Sequence, residues 1–252
     1  MTELLARHRW LAGRKLAAVL ADPLLAADAA AALEPVTTKT ASGKTVKAFI
    51  ARPAKKAPAL LLIHEWWGLN DQIKAVAAEL ADLGYMALCA DLYDGKVTSD
   101  AGKAGALMEA LDPKQATETV TAWIAWLKKQ PDFSGKIGTI GWCMGGGWSL
   151  NASIAAPVDA TVIYYGNVAK PAAELKKLKG PVQGHFATRD QWINRAMVDG
   201  FAAEMKKAGK PLEAHWYEAD HAFANPTGQN FQKPETQKAW KRTLDFLKAK
   251  LA

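Results

Sequence analysis

Apolar runs of strand length alternate with amphipathic helical segments along most of the chain. Residues 59–63 are apolar at every position, which is typical of a strand covered on both faces. Residues 71–83 then carry apolar side chains at helical spacing and end at Gly84. The same patterns predict further strands at 85–89, 137–140, 160–165, 182–187 and 212–217, and helices at 113–130, at 195–208 and at the C-terminus. This alternation predicts an α/β fold with a mostly parallel central sheet covered by helices on both faces, in three layers.

Two other segments precede the alternating pattern. Residues 36–41 and 46–52 flank Ser42-Gly43 and predict a β-hairpin. Residues 1–35 carry Arg7, Arg9 and Arg14 before a run rich in Ala and Leu, so we expect a helical arm that packs on the domain or mediates self-association. A loose resemblance to a cleaved export signal is the alternative. The sequence therefore predicts an arm at 1–35 and one domain at 36–252.

Composition and charge restrict the classes of function. The 252 residues are 50% hydrophobic and 23% charged, as expected for a globular domain with a large core. The net charge of +7 comes from lysines scattered over separate predicted helices, which indicates solvated faces and no nucleic-acid partner. No apolar run reaches the roughly 20 residues of a membrane span. The two cysteines imply no disulfide framework, so we expect a cytoplasmic protein, with export as the alternative location. We further expect a monomer or homodimer.

Residues 141–145, Gly-Trp-Cys-Met-Gly, lie between a predicted strand and a predicted helix. Their G-x-nucleophile-x-G spacing predicts a nucleophile elbow with Cys143 where Ser is commoner. Gly141 and Gly145 leave room for the strained turn. The helix N-terminus favours a thiolate, and the N–H of Met144 can face a developing oxyanion. The alternative is a glycine-rich tight turn beside a buried cysteine.

A cysteine nucleophile needs a base, and the base needs an acceptor that fixes its tautomer. Among the five histidines, His221 alone lies in a loop after a late predicted strand. Asp190 follows the preceding strand, whereas the other late aspartates lie before a strand, within a helix or, as Asp220, directly beside the base. The order Cys143, Asp190, His221 is that of α/β-hydrolases. We therefore predict these three residues as a catalytic triad.

Several motifs together resemble the dienelactone hydrolase family from about residue 36 to the C-terminus. They are H-E-W-W-G-L-N at 64–70, A-D-L-Y at 90–93, G-W-C-M-G-G at 141–146, R-D at 189–190 and W-Y-E-A-D-H-A-F-A at 216–224. The resemblance implies an α/β-hydrolase fold and hydrolysis of lactone or ester bonds through a Cys-His-Asp triad. It assigns the triad to Cys143, His221 and Asp190, and a second oxyanion N–H to Trp66. It implies no cofactor, and no His or Cys pair has the spacing of metal ligands.

The chain departs from the family where the substrate is held. The family's best-known substrate bears a carboxylate that is gripped by arginines, one of them four residues after the catalytic histidine. Here that position is Asn225, and no arginine occurs between Arg52 and Arg189. The pocket is therefore predicted to be more apolar and aromatic, although each aromatic residue could equally be core packing. The predicted pocket residues are Trp67, Tyr93, Trp142, Trp192, Phe223 and Asn225.

Glu65 follows the predicted strand 59–63 and is a candidate regulator of the nucleophile. A carboxylate beside Cys143 would oppose thiolate formation and could accept the S–H hydrogen bond. In the family that the chain resembles, the matching glutamate holds the resting cysteine as a thiol and moves when substrate binds. The alternative is a carboxylate that only fixes its loop.

These features predict a cofactor-independent hydrolase of a small-molecule ester or lactone. Two alternatives remain. The chain could be a carboxylesterase of neutral esters, or it could be a non-catalytic or thiol-sensing α/β-hydrolase relative.

Overall fold

The computed structural model describes residues 23–252, with side chains from residue 26. The chain divides into two compact units, with the boundary after Gly135. In the described part, no helix combines the length and apolar character that crossing a membrane requires.

The first unit contains four strands and four helices among its described residues. The strands follow the order β1-β2-β4-β3, in which β3 and β4 are parallel and the other two pairs are antiparallel. The elements are α1 (Pro23–Ala31), β1 (Glu34–Lys39), β2 (Thr45–Ala51), β3 (Ala57–Ile63), α2 (Asp71–Asp82), β4 (Met86–Ala90), α3 (Ala101–Glu109) and α4 (Pro113–Lys128).

Local sequence explains why the central elements of this unit form. Consecutive residues of β3 are buried on both faces of the strand, as its apolar pattern predicts. Helix α2 begins where the Asn70 side chain accepts the N–H of Ile73, and it buries a stripe that includes Val76 and Leu80. It is followed by Gly84, whose φ of 92° is open mainly to glycine. The β1–β2 hairpin is confirmed at the predicted place.

Helix α1 packs against α2 and buries Ala26, Ala29 and Ala30. This helix belongs to the segment in which the sequence predicts an arm. The rest of that prediction, for residues 1–22, lies outside the described residues. The domain limit at residue 35 stays a prediction.

The second unit carries strands that are parallel throughout, in the order β5-β6-β7-β8. Each strand is followed by a helix, as in a sheet covered by crossover helices. The four-residue α6 is absent from the predictions because one turn shows no periodicity. The elements are β5 (Phe133–Trp142, which begins just before the unit boundary), α5 (Met144–Ala155), β6 (Ala160–Tyr164), α6 (Ala172–Leu175), β7 (Val182–Ala187), α7 (Arg195–Ala208), β8 (Leu212–Tyr217) and α8 (Lys233–Leu251).

Two different layers surround the parallel strands of this unit. An apolar cluster joins Leu150 of α5, Phe186 of β7 and Phe201 of α7. A second, buried polar layer joins the strands to α8. It consists of His185 in β7, Tyr217 in β8 and Thr243 in α8, with His185 at its centre. This ring hydrogen-bonds Tyr217 Oη at 2.8 Å through Nδ1 and Thr243 Oγ1 at 2.9 Å through Nε2. Burial, together with the positive charges of His215 and Arg242, lowers the pKa of His185 well below its ordinary value.

Candidate active site

The turn between β5 and α5 holds Cys143 in a strained conformation. Its φ of 53° is unusual for a residue with a side chain. A Cβ at Gly141 would lie 1.9 Å from the carbonyl oxygen of Gly145, so only glycine fits there. The Cys143 N–H donates to Tyr164 O at 3.0 Å, which ties the elbow to β6. Met144 is the first residue of α5, so its N–H lies at the positive end of the helix dipole.

The loop after β8 presents His221 to the elbow cysteine. His221 Nε2 lies 3.2 Å from Cys143 Sγ. The loop backbone is fixed by Asn230, whose Nδ2 donates to His221 O at 3.0 Å, and Ala222 takes a positive φ of 63°. The imidazole can therefore exchange a proton with the thiol without a change of loop conformation.

The turn after β7 supplies the carboxylate. Asp190 Oδ2 lies 2.6 Å from His221 Nδ1, and its Oδ1 accepts the backbone N–H groups of Trp192 at 2.9 Å and Ile193 at 3.0 Å. The neighbouring Asp220 instead binds Arg189, whose Nη2 lies 3.0 Å away. The structure thus brings Cys143, His221 and Asp190 into one hydrogen-bonded series, all within the second unit.

The electrostatics of this series favour a positively charged imidazole. Burial alone would lower the pKa of His221, but hydrogen bonds to Asp190 and Cys143 outweigh it and raise the pKa to about 10. Burial likewise opposes ionisation of Asp190. Hydrogen bonds from His221 and from two backbone N–H groups outweigh that effect and hold the Asp190 pKa below its ordinary value. The positive imidazole therefore lies at hydrogen-bonding distance from the Cys143 sulfur.

Two aromatic rings contact His221, and sequence reasoning missed one of them. The fully buried Tyr165 lies 5.2 Å from the imidazole between ring centroids and has a φ of 37°. The sequence offers one signal for this residue: Tyr165 directly follows β6 and precedes Gly166. Trp192, a predicted pocket residue, contacts the imidazole at 5.1 Å.

Three other predicted pocket residues of this unit are buried. Phe223 lies between Tyr165 and Tyr217, and Trp142 stacks on Tyr164 at 5.6 Å. Both rings are buried against aromatic neighbours, and a role for them in the substrate pocket stays a prediction. Asn225 is also buried, and its Oδ1 accepts the N–H of Thr227 at 2.9 Å and its hydroxyl at 2.8 Å. Asn225 therefore fixes the loop that follows His221.

The remaining predicted site residues belong to the first unit. Glu65 is buried just after β3, Trp66 and Trp67 contact each other edge to face at 4.9 Å, and Tyr93 is buried after β4. His64 braces this loop: its Nε2 accepts the Leu92 N–H at 3.1 Å, so Nδ1 carries the proton and donates to Glu65 O at 2.6 Å.

The roles of Glu65, Trp66, Trp67 and Tyr93 toward Cys143 stay predictions. Within residues 23–252, no cluster of three or more His, Cys, Asp or Glu side chains is placed to hold a metal ion.

A nucleophile elbow at the end of a parallel strand, followed by an acid and a histidine in later strand-end loops, defines the α/β-hydrolase class. The comparisons with known proteins agree with this class. The chain belongs to the dienelactone hydrolase family, whose family profile matches residues 46–251.

The two relatives described next are each matched over 95% of their own length. A Saccharolobus solfataricus protein, provisionally named a carboxymethylenebutenolidase, is 32% identical over 244 residues, which span 82% of this chain and 95% of the relative. The carboxymethylenebutenolidase of Pseudomonas putida is 29% identical over 230 residues, 85% of this chain and 95% of the relative.

The crystal structure of a dienelactone hydrolase-like promiscuous phosphotriesterase from metagenomic libraries superposes with a TM-score of 0.78. It is 20% identical and covers 87% of this chain and 99% of its own. This likeness shows the α/β-hydrolase fold.

Proposed function

We propose that this chain hydrolyses a carboxylic ester or lactone, with Cys143 as nucleophile, His221 as proton carrier and Asp190 as its orienting acid. The observation that carries the proposal is the hydrogen-bonded series of 3.2 Å from Cys143 Sγ to His221 Nε2 and 2.6 Å from His221 Nδ1 to Asp190 Oδ2. Membership of the dienelactone hydrolase family and the names of its relatives support the same reaction class.

The geometry supports a two-step reaction. The Cys143 thiol proton passes to His221 Nε2, and the thiolate attacks the ester carbonyl. The N–H of Met144 and, by the family resemblance, that of Trp66 hold the oxyanion. The intermediate collapses to a thioester as the alkoxide leaves with the proton from His221. His221 then takes a proton from water, the resulting hydroxide cleaves the thioester, and the carboxylic acid leaves as Cys143 regains its proton.

We further propose that the substrate is neutral, so the activity is closer to a carboxylesterase than to a hydrolase of acidic lactones. Asn225 supplies no charge, and its carbonyl oxygen is used to fix its own loop. The two arginines nearest to Asp190 in sequence form ion pairs. Arg189 lies 3.0 Å from Asp220, and Arg195 lies 3.1 Å from Asp199. A charge-assisted contact contributes about 1.5–3 kcal/mol, roughly 10- to 150-fold in discrimination.

The substrate proposal is tested by comparing an acidic lactone with its methyl ester. We expect similar kcat/KM values for the two. A 10-fold or larger preference for the acid would contradict this part of the proposal and point to Arg195 as the carboxylate partner.

The reaction proposal is tested with two cysteine variants of the full chain. Cys143→Ala should lower ester hydrolysis on the order of 10³-fold or more. Cys89→Ala is the matched control, because Cys89 is buried in β4 and its S–H donates to Ile73 O at 3.6 Å. Near-parental turnover by Cys143→Ala would overturn the proposal.

We also propose a cytoplasmic location, because both cysteines are free thiols.

A further inference from the structure

Trp192 is an exposed aromatic residue beside the proposed proton carrier. It is 70% exposed, more than any of the other large apolar residues that stand out at the surface of the described chain. Its ring lies nearly perpendicular to that of His221, at 80° and 5.1 Å between centroids. A surface tryptophan forgoes the burial free energy that a large aromatic ring gains in a core. Packing therefore does not account for this residue.

The backbone beneath the Trp192 ring is fixed by the proposed acid. Asp190 Oδ1 accepts the Trp192 N–H at 2.9 Å and the Ile193 N–H at 3.0 Å. The next side chain, Ile193, packs into the apolar cluster with Phe186. The indole thus stands on the same fixed turn that orients the imidazole, with its outer surface open to a ligand.

The direction of proton transfer tells which part of an ester would meet this ring. His221 Nε2 faces Cys143 Sγ and protonates the departing alkoxide, while the acyl group stays on sulfur. The alcohol portion therefore lies on the His221 side of the scissile bond. Trp192 contacts the His221 ring, so it is placed toward the alcohol portion and away from the acyl portion.

Resting on the proposed function, we infer that Trp192 binds the alcohol portion of the substrate and favours esters of flat, apolar alcohols. The indole offers an uncharged surface that can pair with another aromatic ring. The arginines nearest to Trp192 in sequence, Arg189 and Arg195, are paired with carboxylates and do not favour a charged alcohol portion.

The test compares three esters with the full chain and its variants. Methyl acetate is the reference ester. Benzyl acetate adds a phenyl ring to its alcohol portion, and methyl phenylacetate adds a phenyl ring to its acyl portion. We expect Trp192→Ala to lower the benzyl-to-methyl ratio of kcat/KM by about 3- to 10-fold, and Trp192→Phe to retain most of that ratio. The phenylacetate-to-acetate ratio should stay unchanged. The control is Leu83→Ala, another exposed apolar residue, which should change neither ratio.

Four outcomes would overturn the inference. If Trp192→Ala slows all three esters equally, the ring only positions His221. If it breaks a dimer in analytical ultracentrifugation and leaves the ester ratios intact, the ring belongs to an interface between copies. If the parent chain hydrolyses none of the esters, the proposed function fails as well. If Trp192→Ala still hydrolyses the esters with an unchanged benzyl-to-methyl ratio, only the inference about Trp192 fails and the proposed function stands.

Discussion

Replacing Asp190 by asparagine should disable the candidate site while leaving the fold in place. The new amide is isosteric, and its oxygen can keep the two backbone bonds from Trp192 and Ile193 at 2.9 and 3.0 Å. Its NH₂ group would then face His221 Nδ1. Two donors cannot pair, so the imidazole must move its proton to Nε2, the nitrogen that faces Cys143.

The size of the effect follows from two losses. The charge-assisted bond of 2.6 Å between Asp190 and His221 contributes about 1.5–3 kcal/mol, which corresponds to roughly 10- to 150-fold. The wrong tautomer adds to this, because a protonated Nε2 on a neutral ring cannot accept the thiol proton. We expect kcat/KM to fall on the order of 10³-fold. The pKa of His221, raised to about 10 in the parent, should return toward the ordinary histidine range.

The assay is hydrolysis of p-nitrophenyl acetate across a pH series, with histidine NMR for the ionisation of His221. The matched control is Asp220→Asn, which changes the carboxylate directly before His221 that binds Arg189 at 3.0 Å. The control should stay within a few-fold of the parent, as expected for an exposed ion pair. If Asp220→Asn is inactive while Asp190→Asn retains turnover and the raised pKa, the assignment of the acid is wrong.

Three further predictions concern the nucleophile, its turn and the buried polar layer. By the family resemblance, Glu65→Gln should speed alkylation of Cys143 by iodoacetamide while impairing ester turnover, and an alkylation pH profile equal to the parent's would make Glu65 a loop-fixing residue. Gly141→Ala should yield little folded protein, since its Cβ would lie 1.9 Å from the oxygen of Gly145, and a variant with parental melting temperature would refute the steric argument. The folded state keeps His185 neutral, whereas the unfolded chain protonates this residue near its ordinary pKa of 6.5. Stability should therefore be lost as the pH falls below about 6.5, by up to about 1.4 kcal/mol per pH unit. His185→Gln should flatten this slope in urea titrations between pH 7 and 5, and an equal slope in both proteins would contradict it.

Two opposite charges are expected to act on the nucleophile. The raised pKa of His221 favours an imidazolium beside Cys143, whereas by the family resemblance Glu65 would bring a carboxylate. The alkylation profile of the parent decides between them. Slow reaction at neutral pH indicates that the carboxylate dominates.

Most of the secondary structure and the three candidate catalytic residues could be predicted from local sequence. Strands such as β3 and β7 are short apolar runs between turn residues, and their limits agree with prediction to within two residues. Cys143 was identifiable because its turn demands glycine at fixed spacing. Asp190 and His221 were identifiable because polar residues after parallel strands gather at one sheet edge.

The features that could not be predicted depend on contacts between distant segments. Nothing local reveals that Tyr165 takes a positive φ and contacts His221. Phe223 and Trp142 belong to the motifs, but a motif does not give side-chain direction. It therefore cannot tell whether such a ring points into the core or toward a ligand. The hydrogen bond between Asp190 and His221 and the ion pair between Asp220 and Arg189 each join residues about 30 positions apart, so neither contact follows from local sequence.

The central claim is that Cys143 carries the acyl group during turnover, and trapping that group tests it most directly. The full chain is mixed with p-nitrophenyl acetate, quenched in acid within its first turnovers and measured by intact-mass and peptide mass spectrometry. We predict one added acetyl group, located on Cys143, and none in the Cys143→Ala variant. An acetyl group found on another residue, or burst release of nitrophenol by the parent without modification of Cys143, would contradict the claim.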